Sequence, residues 1–171
     1  MKKILIIGAG AMGAAFTVPC IDNKHHVTLC EPYNLKLVKK ISSRNKFHPS
    51  LKLKLSKKLI IKVFSNELLK QKWDLIVIAV SSIGIDLIRE NLKNLKFNTR
   101  ILILTKGLKF DKNSKKIITM SEQLNKGKKK FDISVLKGPC LAKELSRKIK
   151  SSTIIANKNI NKAKSIGNLI S

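Results

Sequence analysis

Gly8-Ala9-Gly10-Ala11-Met12-Gly13 is the segment whose residue types and spacing imply chemistry most directly. Its three glycines let a backbone do what side chains forbid. Gly8 permits a turn that a Cβ would obstruct, Gly10 permits close approach of a bound group, and Gly13 lets a following helix lie tight against a strand. The N–H groups at such a helix start carry partial positive charge and suit the phosphates of a dinucleotide. Glu31, 18 residues past Gly13, is the matching acid. A carboxylate there accepts both ribose hydroxyls of NAD and repels the 2′-phosphate of NADP. Lys36 and Lys39 lie close enough in sequence to soften that repulsion, so NAD is the expected cofactor, with NADP possible.

These residues need a strand–turn–helix frame, and the flanking sequence supplies one. Ile4-Leu5-Ile6-Ile7 is a short apolar run ending at the first glycine. Ala14-Ala15-Phe16, Val18 and Ile21 follow at helical spacing. His26–Cys30 reads as a second strand that delivers Glu31 at its end. Downstream, Leu35–Ile41 reads as an amphipathic helix, and Leu59–Phe64 as a strand followed by a short helix capped by Ser65. Asp74–Val80 is a continuous apolar run suited to a central parallel strand. Ser81-Ser82 then caps a helix carrying Ile83, Leu87, Ile88 and Leu92. Arg100–Leu104 is another buried strand. Ile117, Ile118 and Leu124 suggest a helix, Ile133–Leu136 and Ser152–Ala156 further strands, and Ala163, Ile166 and Leu169 a last helix. The 42–56 connection, with His48-Pro49 and alternating Leu51, Leu53 and Leu55, reads either as a hairpin arm or as irregular chain. Strands alternating with helices predict an α/β fold, a doubly wound, Rossmann-type, mainly parallel sheet with helices on both faces.

In such sheets ligands gather beyond the carboxyl ends of the strands. Besides the glycine turn, that rule places Ser81-Ser82, Lys106-Gly107 and Gly138-Pro139-Cys140 at the same edge. A lysine directly after an apolar strand is placed to polarise a carbonyl or hold a phosphate.

Taken in order, Gly8-x-Gly10-x-Met12-Gly13, Thr105-Lys106-Gly107-Leu108 and Gly138-Pro139-Cys140-Leu141-Ala142-Lys143-Glu144 resemble NAD(P)-dependent glycerol-3-phosphate dehydrogenases over essentially the whole chain. The resemblance implies that Ala11 and Met12 line the pyrophosphate turn and that Lys106 touches nicotinamide and substrate as the catalytic lysine. It implies that Gly138 and Cys140 meet the substrate and Ala142 the cofactor. Met12 stands where many members carry Trp, and Cys140 where Ser is usual, which replaces a hydroxyl hydrogen bond with a weak thiol one. The implied substrate is a phosphorylated triose, dihydroxyacetone phosphate, reduced at C2 by hydride transfer. Residues 1–171 are expected to form the dinucleotide-binding domain alone, with the family's helical substrate domain absent from this chain and a homodimer in the full-length enzyme. A non-catalytic cofactor-binding module, or a related hydroxyacid or ketopantoate-type dehydrogenase, is the alternative reading.

Composition narrows the classes further. The chain has 171 residues, 43% of them hydrophobic and 5% aromatic, enough for a packed core. Its formal net charge is +26, which invites a nucleic-acid reading. Yet all the basic residues except Arg44, Arg89, Arg100 and Arg147 are lysines, spread along the chain with one dense run at Lys126–Lys130. Base readers favour the arginine fork and aromatic stacking platforms, so no specific nucleic-acid partner is expected. Cys20, Cys30 and Cys140 show no CxxC spacing and His25, His26 and His48 no ligand spacing, so no metal is expected. No apolar run approaches a membrane span, and a cytoplasmic location is expected.

Overall fold

The computed structural model describes residues 1–127 and 130–170; Lys128 and Lys129 of the lysine run, and Ser171, lie outside them. In chain order the elements are β1 (Lys3–Ile7), α1 (Ala11–Asp22), β2 (His26–Glu31), α2 (Leu35–Ser42), β3 (Phe47–His48), β4 (Leu53–Lys54), β5 (Ile60–Val63), α3 (Asn66–Leu69) and β6 (Leu75–Ile78). A single 3₁₀ turn, Ser82–Gly84, leads into α4 (Ile85–Leu92). There follow β7 (Arg100–Ile103), β8 (Leu108–Asp111), β9 (Lys116–Thr119), α5 (Met120–Leu124), β10 (Ile133–Lys137), α6 (Ala142–Ser146), β11 (Ile154–Ala156) and α7 (Ile160–Ile170).

The main sheet runs β11-β10-β7-β6-β1-β2-β5, parallel throughout except that β11 pairs antiparallel with β10. The chain first winds outward from β1 through β2 to β5, then returns to the other side of β1 with β6, β7 and β10. The strand order therefore reverses between β1 and β6, which is where a doubly wound sheet opens a ligand crevice. Alternation along the strands feeds two cores. Ile4 and Ile6 join Phe16, Val27, Leu29 and Ile41 on one face, while Leu5 and Ile7 join Ile76, Ile78, Ile85 and Ile88 on the other. Every core-facing residue of β1 is fully buried, as a strand covered on both faces requires. Among the described residues no helix is long and apolar enough to cross a membrane.

The structure departs from the sequence expectations at β9 and at the serine caps, and at the 42–56 connection it selects the hairpin reading. Ile117 and Ile118 are not helical but lie in β9, paired antiparallel with β8 around a turn in which Asp111 accepts from the Asn113 N–H and the Ser114 hydroxyl. The helix begins only at Met120, behind a Thr119–Glu122 capping box. The alternating leucines give a two-residue β3–β4 pairing, with Leu51 and Leu55 driven into the core on either side of it. Ser65 sits at the start of its helix, and Ser81 and Ser82 at the 3₁₀ turn, but neither Ser65 nor Ser81 makes a side-chain cap bond.

All three cysteines are free and buried. Burial pushes the Cys20 thiol up to about 12, and burial, reinforced by the neighbouring Glu31 charge, pushes the Cys30 thiol well above its ordinary range. The thiolate is the reactive form. A chromogenic disulfide reagent at pH 8 is therefore expected to leave Cys20 and Cys30 unmodified in the native protein and to titrate them only after denaturation. Rapid native labelling at either position would contradict this core.

Candidate functional site

The site forms where β1, β2, β6, β7 and β10 end at a common edge of the sheet. At its centre the glycine turn joins β1 to α1. Gly8 has φ +108°, and a Cβ there would stand 2.6 Å from the Ala79 carbonyl oxygen on β6's outgoing chain. At Gly13 a Cβ would stand only 1.9 Å from the Gly8 carbonyl oxygen. Both glycines are therefore demanded by the fold itself. Gly10 is different: it caps α1 from an extended conformation that any residue adopts, it is exposed, and a Cβ there would meet no protein atom within 4 Å. Among the described residues nothing calls for glycine at position 10. A glycine there leaves the backbone open to an external group, and the first turn of α1 has no side-chain cap to compete for its N–H groups. The turn thus fits the pyrophosphate of a dinucleotide.

Glu31 ends β2 at 6% exposure. Its Oε2 accepts the Ala9 N–H at 2.7 Å, and its Oε1 accepts those of Tyr33 and Asn34 at 2.9 and 3.2 Å. The acid predicted from spacing is thus tied into the glycine turn through the backbone, a role that spacing did not foretell. Tyr33 follows, and its hydroxyl donates to the Gly84 carbonyl oxygen at 2.8 Å, joining the loop after β2 to the 3₁₀ turn after β6. Partial burial, then the Glu31 charge, raises the Tyr33 phenol and keeps it a donor.

Ser81, Ser82 and Lys106 are all exposed at this edge. A Cβ on Gly107 would lie 3.6 Å from the Ser82 Cβ, so the ends of β6 and β7 adjoin. Thr105 secures them, its buried hydroxyl donating to the Val80 carbonyl oxygen at 2.7 Å. Gly138 turns the chain after β10 with φ +113°. Ala142, on α6, packs against the same core as Ala11 and Met12, so the structure brings the glycine turn and the Gly138–Glu144 segment together. Cys140 is 4% exposed and lines a cavity of about 520 Å³ with Phe16, Pro19, Leu145 and Ile155, between α1, β11 and α7.

Sequence reasoning missed His48. It is fully buried, and its Nε2 lies 2.9 Å from the Ala9 carbonyl oxygen. A lone histidine in a lysine-rich connection gives no sequence signal for such a role. Among the described residues no cluster of three or more metal-ligating side chains occurs.

The family described as the N-terminus of NAD-dependent glycerol-3-phosphate dehydrogenase matches residues 3–163. The glycerol-3-phosphate dehydrogenase [NAD(P)+] of Clostridium botulinum (strain Alaska E43 / Type E3) is 29% identical over 173 residues, which cover 99% of this chain and 50% of that protein. The NADP(+)-dependent glycerol-3-phosphate dehydrogenase of Archaeoglobus fulgidus is 26% identical over 162 residues, covering 90% and 46%. The crystal structure of glycerol-3-phosphate dehydrogenase from Coxiella burnetii superposes with a TM-score of 0.82 at 22% identity, over 99% of this chain and 51% of that one. The chain thus spans about half the length of the curated relatives it matches.

The glycine geometry predicts a graded mutational response. Gly8→Ala and Gly13→Ala are each expected to lower unfolding free energy by about 3 kcal/mol, because left-handed strain or overpacking must be relieved by moving backbone. Gly10→Ala is expected to cost at most about 1 kcal/mol, the scale of a helix N-cap change. Chemical denaturation of the three variants checks the order, and a Gly10 variant as unstable as the other two would refute it.

Proposed function

Since the chain belongs to the family of NAD-dependent glycerol-3-phosphate dehydrogenase N-terminal domains, we propose that it is the cofactor-holding part of an enzyme interconverting dihydroxyacetone phosphate and sn-glycerol 3-phosphate. The observation that carries the cofactor reading is Gly10, a glycine no internal contact requires, at the uncapped start of a helix.

The roles follow from position. Gly8 and Gly13 set the turn. Gly10, Ala11 and Met12 present backbone to the pyrophosphate. Glu31, already holding Ala9, keeps lone pairs for a ribose hydroxyl, and Ser81 borders the cofactor from the end of β6. Ala142 closes the site beside α1. When bound, the nicotinamide exchanges a hydride with C2 of the triose. Lys106 brings a positive charge to the substrate oxygen, and a fixed charge aimed where negative charge develops lowers the barrier. Gly138 and Cys140 meet the substrate from β10's end. Gly138 does so through backbone, while for Cys140 the reading requires access to a thiol now facing the cavity under α1. A homodimer and a cytoplasmic setting for the full-length enzyme belong to the same proposal.

Fluorescence titration with NADH and NADPH tests the cofactor assignment. The protein is expected to bind NADH, and Gly10→Val to fold normally yet weaken binding by ~100-fold or more, since a side chain there separates phosphate from backbone and forfeits several charge-assisted bonds. Undiminished binding by that variant would refute the site. Tighter binding of NADH than NADPH is expected from Glu31; equal or tighter NADPH would confine Glu31 to holding the turn. In turnover of the full-length enzyme with dihydroxyacetone phosphate, Lys106→Ala is expected to lower kcat/KM by ~10²–10³, whereas residues 1–171 alone are expected to bind cofactor without turnover. Near-full turnover of that variant would make Lys106 an ordinary solvated lysine, and a full-length protein that only binds cofactor would show the titration without turnover.

A further inference from the structure

The β3–β4 hairpin touches the glycine turn through one side chain. The His48 Nδ1 accepts the Leu51 N–H at 3.3 Å, so the ring hydrogen resides on Nε2, which donates to the Ala9 carbonyl oxygen at 2.9 Å. The Glu31 Oε2 accepts the Ala9 N–H at 2.7 Å. Both polar groups of Ala9 are therefore held, one by an imidazole and one by a carboxylate, and all three residues are buried.

Peptide geometry carries the consequence to the neighbours. In a trans peptide the C=O and N–H point in opposite directions. The bond to Glu31 fixes the preceding peptide with the Gly8 carbonyl oxygen against Gly13, where a Cβ could not fit. The bond from His48 fixes the following peptide with the Gly10 N–H turned away from the hairpin, at an exposed residue. Among the described residues no backbone acceptor takes that N–H. A peptide next to glycine rotates at little cost. Without His48, the Ala9–Gly10 peptide is free to flip and present its carbonyl oxygen where the N–H now stands. A carbonyl dipole facing that way repels an anion, whereas an N–H attracts one.

The hairpin that delivers His48 is itself secured. The Lys46 ammonium donates to the carbonyl oxygens of Lys57 at 3.0 Å and Leu59 at 2.7 Å, and the Lys46 carbonyl oxygen accepts the Leu55 N–H at 2.9 Å. Leu51 and Leu55 anchor it in the core.

We propose that His48 is a positioning residue for the phosphate turn: it holds the Ala9 carbonyl oxygen so that the Gly10 N–H faces an incoming phosphate oxygen. The inference rests on the reading of the glycine turn as a dinucleotide site. It adds to that site a residue from outside the strand–turn–helix motif, one that touches neither cofactor nor substrate.

His48→Leu keeps bulk and removes the donor, and His48→Gln returns an N–H near the place of Nε2. NADH affinity by fluorescence titration is expected to fall about ten- to a hundredfold in the leucine variant, the scale of one hydrogen bond to a charged group. It is expected to return to within about threefold of the parent in the glutamine variant. The direction of the Gly10 N–H bond, read without cofactor from its residual dipolar coupling, is expected to change in the leucine variant and not in the glutamine variant. Unchanged NADH affinity in the leucine variant, or an equal loss in both, would overturn the proposal. If the unsubstituted protein binds no NADH, the dinucleotide reading falls, and the coupling still decides the clamp: an unaltered Gly10 N–H direction in the leucine variant overturns it. Should the leucine variant not fold, ¹⁵N spectra of the parent's His48 ring decide. A hydrogen on Nε2 supports the proposal and one on Nδ1 defeats it.

Discussion

The closeness of the first turn to the backbone of β6 is the constraint on which the rest of this structure depends. With Gly8 against Ala79 and Val80, and Gly13 against the Gly8 carbonyl oxygen, α1 starts directly over the sheet. There Ala14, Ala15 and Phe16 pack into the core with Ile4, Ile6 and Leu29. The same closeness brings the first turn of α1 to the point where strand order reverses. A residue with a Cβ at either position would push helix and strand apart, opening the core and displacing the helix terminus together. Packing and binding geometry are here one requirement, and Gly10 stands outside it.

Carboxylates are scarce in a chain with 36 basic and 10 acidic residues, and most of them join parts of the fold. Asp22 pairs with Lys148, Asp74 with Lys2, Asp111 with Lys126 and Asp132 with Lys162, each across a long stretch of sequence. Asp86 accepts from Lys109 of β8 and Gln123 of α5, tying that hairpin and both helices together beside the Lys106 loop. The Lys109 ammonium, opposed by some burial and aided by Gln123, holds the Asp86 carboxyl below its ordinary range. A depressed carboxyl contributes stability above its unfolded pKa and loses it as pH falls through the folded one, so this joint weakens only in acid. Partly exposed pairs contribute little individually. Their distribution matters more, since each leaves fewer positive charges without a counterpart.

The parts of this fold legible in the sequence are those fixed by local pattern. Apolar runs announced β1, β6 and β7, because strands buried on both faces tolerate almost nothing else. The glycine spacing announced the turn, because steric exclusion leaves no alternative residue at Gly8 and Gly13. The β8–β9 hairpin is not legible in this way, because Ile117, Ile118 and Leu124 also match a helical stripe and only the Asp111–Lys115 turn decides against it. His48 was unreadable for a different reason. Its partners Ala9 and Leu51 are set by how a hairpin folds back on a turn 39 residues away, and no local periodicity encodes that return. Glu31 falls between these cases. Its place at the end of β2 followed from spacing, while its bonds to three backbone N–H groups depended on the turn being there to receive it.

Net charge and selectivity act at different ranges in such a molecule. A surface of +26 attracts any polyanion, and that attraction fades over roughly 10 Å at moderate salt. It therefore hastens encounter with phosphates without distinguishing one from another. Distinction begins at contact, where, on the proposed reading, the backbone N–H groups beside Gly10 meet a phosphate and the ordered Glu31 carboxylate borders it. None of these depends on the lysines, which are spread along the whole sequence. High charge and the proposed dinucleotide site are thus compatible without being connected, because a long-range field cannot choose a partner and contacts at a turn with Gly10 open to solvent can.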